Sequence, residues 1–223
     1  MKKTCAVLPS HNEEKTLASV IKPLKEAGID IFVVDDGSQD DTDAIASSLG
    51  AEVIRHQHKK GKGQSLKDGF KLALEKSYDY IIAIDADGQH NPREAGKFIK
   101  TADKEGGAGI IIGNRLHKPK GMPVTRLLTN KIMSKIISAI CKQHIPDTQC
   151  GYRLIKREVL QDIYLRAHKF EIESELLIKA AKAGYKIISV PIETIYADEV
   201  SHINPFIDTL RFIRFIVRVL RKE

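Results

Sequence analysis

The sequence predicts an α/β protein built on a parallel sheet covered by helices. Short β-rich runs alternate with helical stretches over the first 113 residues, the rhythm of strands joined through helical crossovers. The β runs are nearly continuous in apolar residues, as strands buried on both faces must be. Asn91 before Pro92 supplies a helix cap followed by proline at the first helical position.

The elements follow in order. Residues 4–8 read as a strand and 13–27 as a helix. A strand at 30–35, a helix at 40–49 and a strand at 51–55 come next. A helix at 63–76, a strand at 79–84, a helix at 92–104 and a strand at 108–113 close the series. The character then changes. Residues 116–123 hold two prolines, a glycine and two lysines and read as a loop. An amphipathic helix is expected at 124–143, a strand at 151–155, a helix at 171–183, a strand at 186–190 and a last helix at 205–221. There is no internal repeat and no evident linker. The 223 residues are therefore expected to form one domain, with a first half at 1–115, a second half at 116–200 and a C-terminal amphipathic segment at 203–223.

Composition narrows the class. Hydrophobic residues make up 42% and charged residues 29%, which excludes disordered, collagenous and disulfide-stapled chains. Cys5, Cys141 and Cys150 are odd in number and form no CxxC pair, so reduced thiols in a cytosolic compartment are expected. The apolar stretch behind Met1-Lys2-Lys3 runs only from Cys5 to Leu8, too short for a signal peptide. No run approaches the roughly 18 apolar residues of a membrane span. A cytoplasmic protein is expected, and the pI of about 9.2 points to an anionic partner.

In open parallel sheets, ligands bind beyond the carboxyl ends of the strands. The first strand runs into Pro9-Ser10-His11-Asn12-Glu13-Glu14. The second ends in Asp35-Asp36-Gly37-Ser38, and the third leads to a stretch holding Lys59, Lys60, Lys62 and two glycines. The fourth ends in Asp85-Ala86-Asp87-Gly88-Gln89-His90 and the fifth in Gly113-Asn114-Arg115. Any one of these could be a helix cap or a solvated loop. Together they gather carboxylates, lysines and an arginine at one edge. Asp85 and Asp87 can both reach a divalent cation, and Gln89 can add a neutral oxygen. Mg²⁺ or Mn²⁺ prefers such oxygens and shares its sphere with phosphate.

Competing motifs fit less well. Read as an EF-hand, the Asp85 loop places His90 where glycine is required and Gly96 where glutamate is required. An aspartyl-phosphate phosphatase would carry Thr or Val at Gln89. No Walker A sequence is present, and Gly61-Lys62-Gly63 is too short for a dinucleotide fingerprint. A sugar-phosphate nucleotidyltransferase would show a glycine-rich first loop, where this chain has residues 9–14.

The ordered set of Pro9–Glu14, Val34-Asp35-Asp36-Gly37-Ser38, Gly61-Lys62-Gly63, Asp85-Ala86-Asp87 and Gly113-Asn114-Arg115 resembles family 2 glycosyltransferases. The closest branch is the dolichyl-phosphate mannose synthase-like, polyprenyl-phosphate group. The resemblance implies a GT-A fold, a three-layer α/β/α sandwich with a mostly parallel mixed sheet. It implies a nucleoside pocket at Pro9, His11 and Glu13, with His11 replacing the usual Tyr, and base contacts from Val34 and Asp36. Asp85, Ala86 and Asp87 would meet the diphosphate and sugar through Mg²⁺ or Mn²⁺, with Gln89 as an extra ligand. Lys62 and Arg115 would join the donor site, Arg115 on phosphate. Residues 147–153 resemble the acceptor-side motif, and 173–177 the helix after it. Dolichyl-phosphate mannose synthases carry an Arg and a Ser-Lys pair near the end of the catalytic domain. Here Tyr196 and Ser201-His202 stand there, so His202 would donate a hydrogen bond to phosphate and the sugar stays open.

The implied reaction is inverting transfer of a sugar from a UDP- or GDP-sugar to a polyprenyl phosphate or related lipid. Arg115 would supply a fixed positive charge. An alcohol acceptor would need a carboxylate base, with Asp147 first, then Glu173 and Glu175. A lipid phosphate is already anionic and needs none. The alternatives are a saccharide or small-alcohol acceptor, and a non-catalytic nucleotide-sugar-binding or scaffold subunit.

No Asp or Glu occurs between Glu105 and Asp147, while Arg115, Lys118, Lys120, Arg126, Lys131, Lys135 and Lys142 do. Leu128, Ile132, Ile136 and Ile140 repeat every four residues. The last helix combines Arg211, Arg214, Arg218 and Arg221 with an apolar remainder. Such helices lie in membrane interfaces or pack on a partner subunit or second copy. Contact with the inner membrane face is the expectation. Nucleic acid is not, since no recognised motif is present and aromatics are only 6%.

Overall fold

The computed structural model describes residues 2–119, 121–195, 214, 216 and 217. Seven strands form one sheet: β1 (Thr4–Ser10), β2 (Asp30–Asp35), β3 (Glu52–Arg55), β4 (Tyr80–Ala83), β5 (Ala108–Asn114), β6 (Arg153–Lys156) and β7 (Lys186–Pro191). The helices are α1 (Leu17–Glu26), α2 (Thr42–Ser48), α3 (Lys62–Glu75), α4 (Ala95–Lys104), α5 (Val124–Cys141), α6 (Arg157–Asp162) and α7 (Glu171–Lys182). Most of the expected last helix lies outside the described residues, with only Arg214, Ile216 and Val217 described, all helical; Tyr196, Ser201 and His202 lie outside them.

The strand order is β3-β2-β1-β4-β6-β5-β7. Strand β6 runs antiparallel to both β4 and β5, and every other pairing is parallel. This bears out the expected mixed, mostly parallel α/β sheet. Helices cover both faces. Tyr152, just before β6, stacks on Phe98 of α4, with ring centroids 4.3 Å apart. The next residue, Arg153, lies among Leu66 and Phe70 of α3 and Ile172 and Leu176 of α7. Its buried guanidinium donates to the carbonyls of Cys150, Glu173 and Thr148 at 2.8, 2.6 and 2.9 Å, and the Glu173 carboxylate lies 3.8 Å from it, so its donors and its charge are both answered.

Two expectations shift. The first helix begins at Leu17 instead of 13. The amides of Asn12, Glu13 and Glu14 donate instead to Ser38 Oγ, Thr42 Oγ1 and Asp40 Oδ2 at 2.9, 2.8 and 3.1 Å. Those bonds tie the first strand's exit to the second's. Helix α6, absent from the expectation, is a short turn that starts as β6 leaves the sheet. The three cysteines are free and buried.

Helix α3 crosses β1 and β2 closely because Gly69 has no side chain. A Cβ there would overlap Val7 Cγ1 and lie 3.2 Å from Val34 Cγ2. Alanine is intrinsically the better helix former, but overpacking wins at this contact. Gly69→Ala is expected to destabilise by ~1–3 kcal/mol, read from the midpoint of urea denaturation. An unchanged or raised midpoint would show that α3 can back away freely.

Candidate active site

The expected strand ends converge at one edge. β1 leads to His11, β2 to Asp36, β4 to Asp85 and β5 to Arg115. Because β6 is antiparallel, the segment before it, Asp147–Tyr152, arrives at that same edge; the amide of Gly113 donates to Tyr152 O at 2.9 Å. Two ion-pair systems organise the edge, the first half-buried and the second buried.

The first centres on Lys62, the first residue of α3. Its Nζ lies 2.6 Å from Asp85 Oδ1 and 2.7 Å from Glu173 Oε1. Burial would push the ammonium's pKa down, but the two carboxylates push it above the ordinary lysine value. Burial likewise would raise Asp85, yet Lys62, then His90 and Arg115, hold its carboxyl below the usual range. Asp85 is therefore ionised at neutral pH. Gly151 packs directly on this carboxylate: a Cβ there would overlap Asp85 Oδ2 and sit 3.0 Å from Cγ.

Asp36 sets where Lys62 stands. Its Oδ1 accepts from the Lys60 amide and its Oδ2 from the Gly61 amide, each at 2.8 Å. His56 Nδ1 lies 2.8 Å from Oδ1, and His56 Nε2 lies 3.0 Å from Asp68 Oδ2. Burial pushes the Asp36 carboxyl up, but the bonds from His56, Lys60 and Gly61 hold it below the usual range. Gly61 has φ +98°, a conformation that favours glycine. Asp35 is spent on Ser38, whose amide lies 3.0 Å away and whose hydroxyl also donates to it.

The second system is Arg115 with Asp147. Arg115 Nε donates to Asp147 Oδ2 at 2.8 Å, Nη2 to Oδ1 at 3.0 Å, and the Arg115 amide to Oδ2 at 3.1 Å. Asp147 is 0% exposed. This is the bidentate fork that arginine forms best. Thr148 beside it is anchored to α5, its amide donating to Ser134 Oγ at 2.9 Å.

The other expected residues distribute as follows. Pro9 pairs with Val34 across β1 and β2. Val34 is fully buried and faces Gly69 of α3. His11 is partly exposed, and its Nδ1 is buried with no hydrogen bond. Glu13 Oε2 accepts from Thr16 Oγ1 at 2.9 Å. Ala86 is buried between the two carboxylates. Asp87 Oδ1 accepts from the Gln89 amide at 2.9 Å, and the Gln89 carbonyl accepts from Ile195 at 3.0 Å. Glu175 accepts from the amides of Arg166 and Ala167 at 2.9 and 2.8 Å and pairs with Lys179 at 2.8 Å.

Sequence reasoning missed His90. It is buried beside Asp85, with Nε2 4.0 Å from Oδ2, and burial lowers its pKa to about 4. A histidine next to an acidic motif carries no signal of burial by itself. It also missed that Glu173 partners Lys62, since the two are far apart in sequence.

The donor set suits a hard divalent cation: Asp85 and Asp87 offer carboxylate oxygens, Gln89 an amide oxygen, and Asp85 is held ionised. Among the described residues, no group of three or more His, Cys, Asp or Glu side chains forms a metal cage by itself. The set fits a cation that completes its sphere with phosphate oxygens or water.

The fold and this edge define a GT-A glycosyltransferase. The chain superposes on glucosyl-3-phosphoglycerate synthase from Mycobacterium tuberculosis, solved with Mn²⁺, UDP and glucosyl-3-phosphoglycerate. The TM-score is 0.76 at 21% identity, over 98% of this chain and 78% of that one. The chain belongs to glycosyl transferase family 2, whose model matches residues 5–164. It is 33% identical over 215 residues to the UDP-N-acetylglucosamine–dolichyl-phosphate N-acetylglucosaminyltransferase of Methanococcus voltae, covering 86% of this chain and 85% of that protein. It is 31% identical over 207 residues to the polyprenol monophosphomannose synthase of Mycolicibacterium smegmatis, covering 85% and 76%.

The Arg115–Asp147 pair carries a direct expectation. Removing one partner of a buried pair strands the other's charge. Asp147→Ala should cost about 3–5 kcal/mol, with Asp147→Asn costing less because it keeps one acceptor oxygen. Equilibrium denaturation in urea measures both. A cost within experimental error for Asp147→Ala would mean that Arg115 finds water or another acceptor.

Proposed function

We propose that this glycosyltransferase moves a sugar from a UDP- or GDP-sugar to a polyprenyl phosphate or related lipid, with inversion at the anomeric carbon. One observation carries the choice of acceptor: each of the three carboxylates expected as a base is already committed. Asp147 is paired with Arg115, Glu173 with Lys62, and Glu175 with Lys179 and two amides. An acceptor alcohol would need one of them to take its proton, whereas an acceptor phosphate arrives anionic. The names of the relatives from Methanococcus voltae and Mycolicibacterium smegmatis, one dolichyl-phosphate and one polyprenol, support the same reading. Asp147 is accordingly reassigned from general base to positioning residue for Arg115.

In this reading Asp85, Asp87 and Gln89 hold Mg²⁺ or Mn²⁺. When bound, the cation would offset charge building on the leaving diphosphate. Lys62 and Arg115 supply fixed positive charge at the same edge, held in place by Glu173 and Asp147. Asp36 acts on the donor site through the Lys60–Gly61 amides that place Lys62, in addition to any contact with a base. His11 offers an unspent, buried Nδ1 beside the β1 exit, which suits a nucleoside hydroxyl or base atom.

The test is calorimetry of UDP- and GDP-sugars with and without Mn²⁺, followed by transfer of labelled sugar to polyprenyl phosphate. Metal-dependent binding should be lost in Asp87→Ala, and label should enter the organic phase with wild type. Label confined to water-soluble product would favour a saccharide or small-alcohol acceptor. Folded protein that binds no donor would favour the non-catalytic reading. Lys62→Met should weaken donor binding at least tenfold, and undiminished affinity would remove Lys62 from the donor site.

A further inference from the structure

His56 is the first residue beyond β3. Its amide donates to the Asp35 carbonyl at 2.9 Å, which carries the β2–β3 ladder one residue further. Side chains alternate along that line. Arg55 turns to Asp43 and stays half-exposed, and His56 turns inward, where only 4% of it is exposed. A buried imidazole needs a partner for each nitrogen. Here both partners are carboxylates: Asp36 Oδ1 lies 2.8 Å from Nδ1 and Asp68 Oδ2 lies 3.0 Å from Nε2.

The two contacts differ in what they hold. Burial works against the Asp36 charge, but the bonds from His56, Lys60 and Gly61 keep the carboxyl below its usual range. Asp36 is therefore ionised and can only accept, so the proton in its contact with His56 sits on Nδ1. Gly61, at φ +98°, lets two successive amides converge on that one carboxylate. On the other side of the ring, Asp68 is anchored along α3, its Oδ1 accepting from Gln64 Nε2 at 2.9 Å. Gln64 Oε1 lies 3.1 Å from His168 Nδ1, and the Gln64 amide lies 3.3 Å from the His168 carbonyl. The line Asp36–His56–Asp68–Gln64–His168 thus joins the end of β2 to the segment that leads into α7. Lys62 stands between its ends. Asp36 holds the two amides before it, and α7 brings Glu173 to its Nζ.

We propose that His56 is a positioning residue for the donor site: its Nδ1–H fixes Asp36, and through Asp36 the Lys60–Gly61 turn that sets where Lys62 stands. The inference rests on the reading of Lys62 as a cation of the donor site. His56 itself is buried, with both nitrogens spent, so it acts on a donor only through these neighbours. Asp68 orients the ring by its far nitrogen. Without the Nδ1 bond, a carboxylate with only 4% exposure loses one of the donors that answer its charge, and the turn it gathers loosens.

Two substitutions separate the arms of the ring. Asparagine carries its amide nitrogen about where Nδ1 stands, and glutamine about where Nε2 stands. Calorimetry of UDP- and GDP-sugars with Mn²⁺ compares them in the full chain, with urea midpoints to establish that each variant is folded. His56→Asn should stay within about threefold of wild type, and His56→Gln should weaken donor binding by roughly tenfold or more, the usual cost of losing an outer-shell partner. Lys62→Met should then cost less affinity in the His56→Gln background than in wild type, because both changes act on the same cation. In ¹⁵N-labelled wild type without donor, the His56 ring should carry a proton on Nδ1. A bare Nδ1 overturns the inference. So do equal losses in the asparagine and glutamine variants, or a Lys62→Met cost that is the same in both backgrounds, since His56 would then serve packing alone. Folded wild type that binds no donor overturns the donor-site reading, and this inference with it.

Discussion

The bridge from Lys62 to Asp85 and Glu173 is the constraint on which the donor edge depends. It joins three elements that are remote in sequence: the start of α3, the end of β4 and the first turn of α7. A half-buried ammonium between two carboxylates is held well only when distances are short and each charge is answered. The surrounding structure meets that demand. Asp36 fixes the two amides before Lys62, and Gly63 lets α3 lie against residues 168 and 169, where a Cβ would come within 2.7 Å of the Lys169 carbonyl oxygen. The result is an ionised Asp85 at the sheet edge and a cation beside it, the pair of charges that a nucleotide diphosphate and its metal would meet.

The same logic repeats at Arg115. Its partner Asp147 arrives because β6 is inserted antiparallel between β4 and β5. With a parallel strand in that slot, the segment before it would emerge at the opposite edge, and Arg115 would have no buried acceptor. The insertion also delivers Gly151 against Asp85 and Arg153 among α3 and α7 on one face, with Tyr152 turned to α4 on the other. The acceptor-side residues are thus built into the donor-side sheet, with no boundary between them at strand level.

Committing Asp147, Glu173 and Glu175 each to a cation has a chemical consequence. The edge is rich in fixed charge and poor in proton acceptors among the residues expected to serve. Such a site favours an acceptor that brings its own negative charge.

Much of this was legible in the residues themselves. Alternating apolar runs and helical stretches specify the α/β class, because periodicity and burial are local consequences of side-chain chemistry. The strand-end positions of Asp36, Asp85, Asp87 and Arg115 follow directly from where those runs stop. The partners were not legible. That Asp147 serves Arg115 and that Glu173 serves Lys62 depend on contacts between residues far apart in the chain, and the burial of His90 beside Asp85 depends on packing against Tyr152. The repeat of Leu128, Ile132 and Ile136 was visible, but the side of α5 that faces the core was not. A helical period states which residues share a face, and only the packing of Ser134 on Thr148 decides which face turns inward. Sequence alone determined the elements and the chemical groups at their ends; tertiary structure decided which charge answers which, because ion pairing and burial are properties of proximity in space.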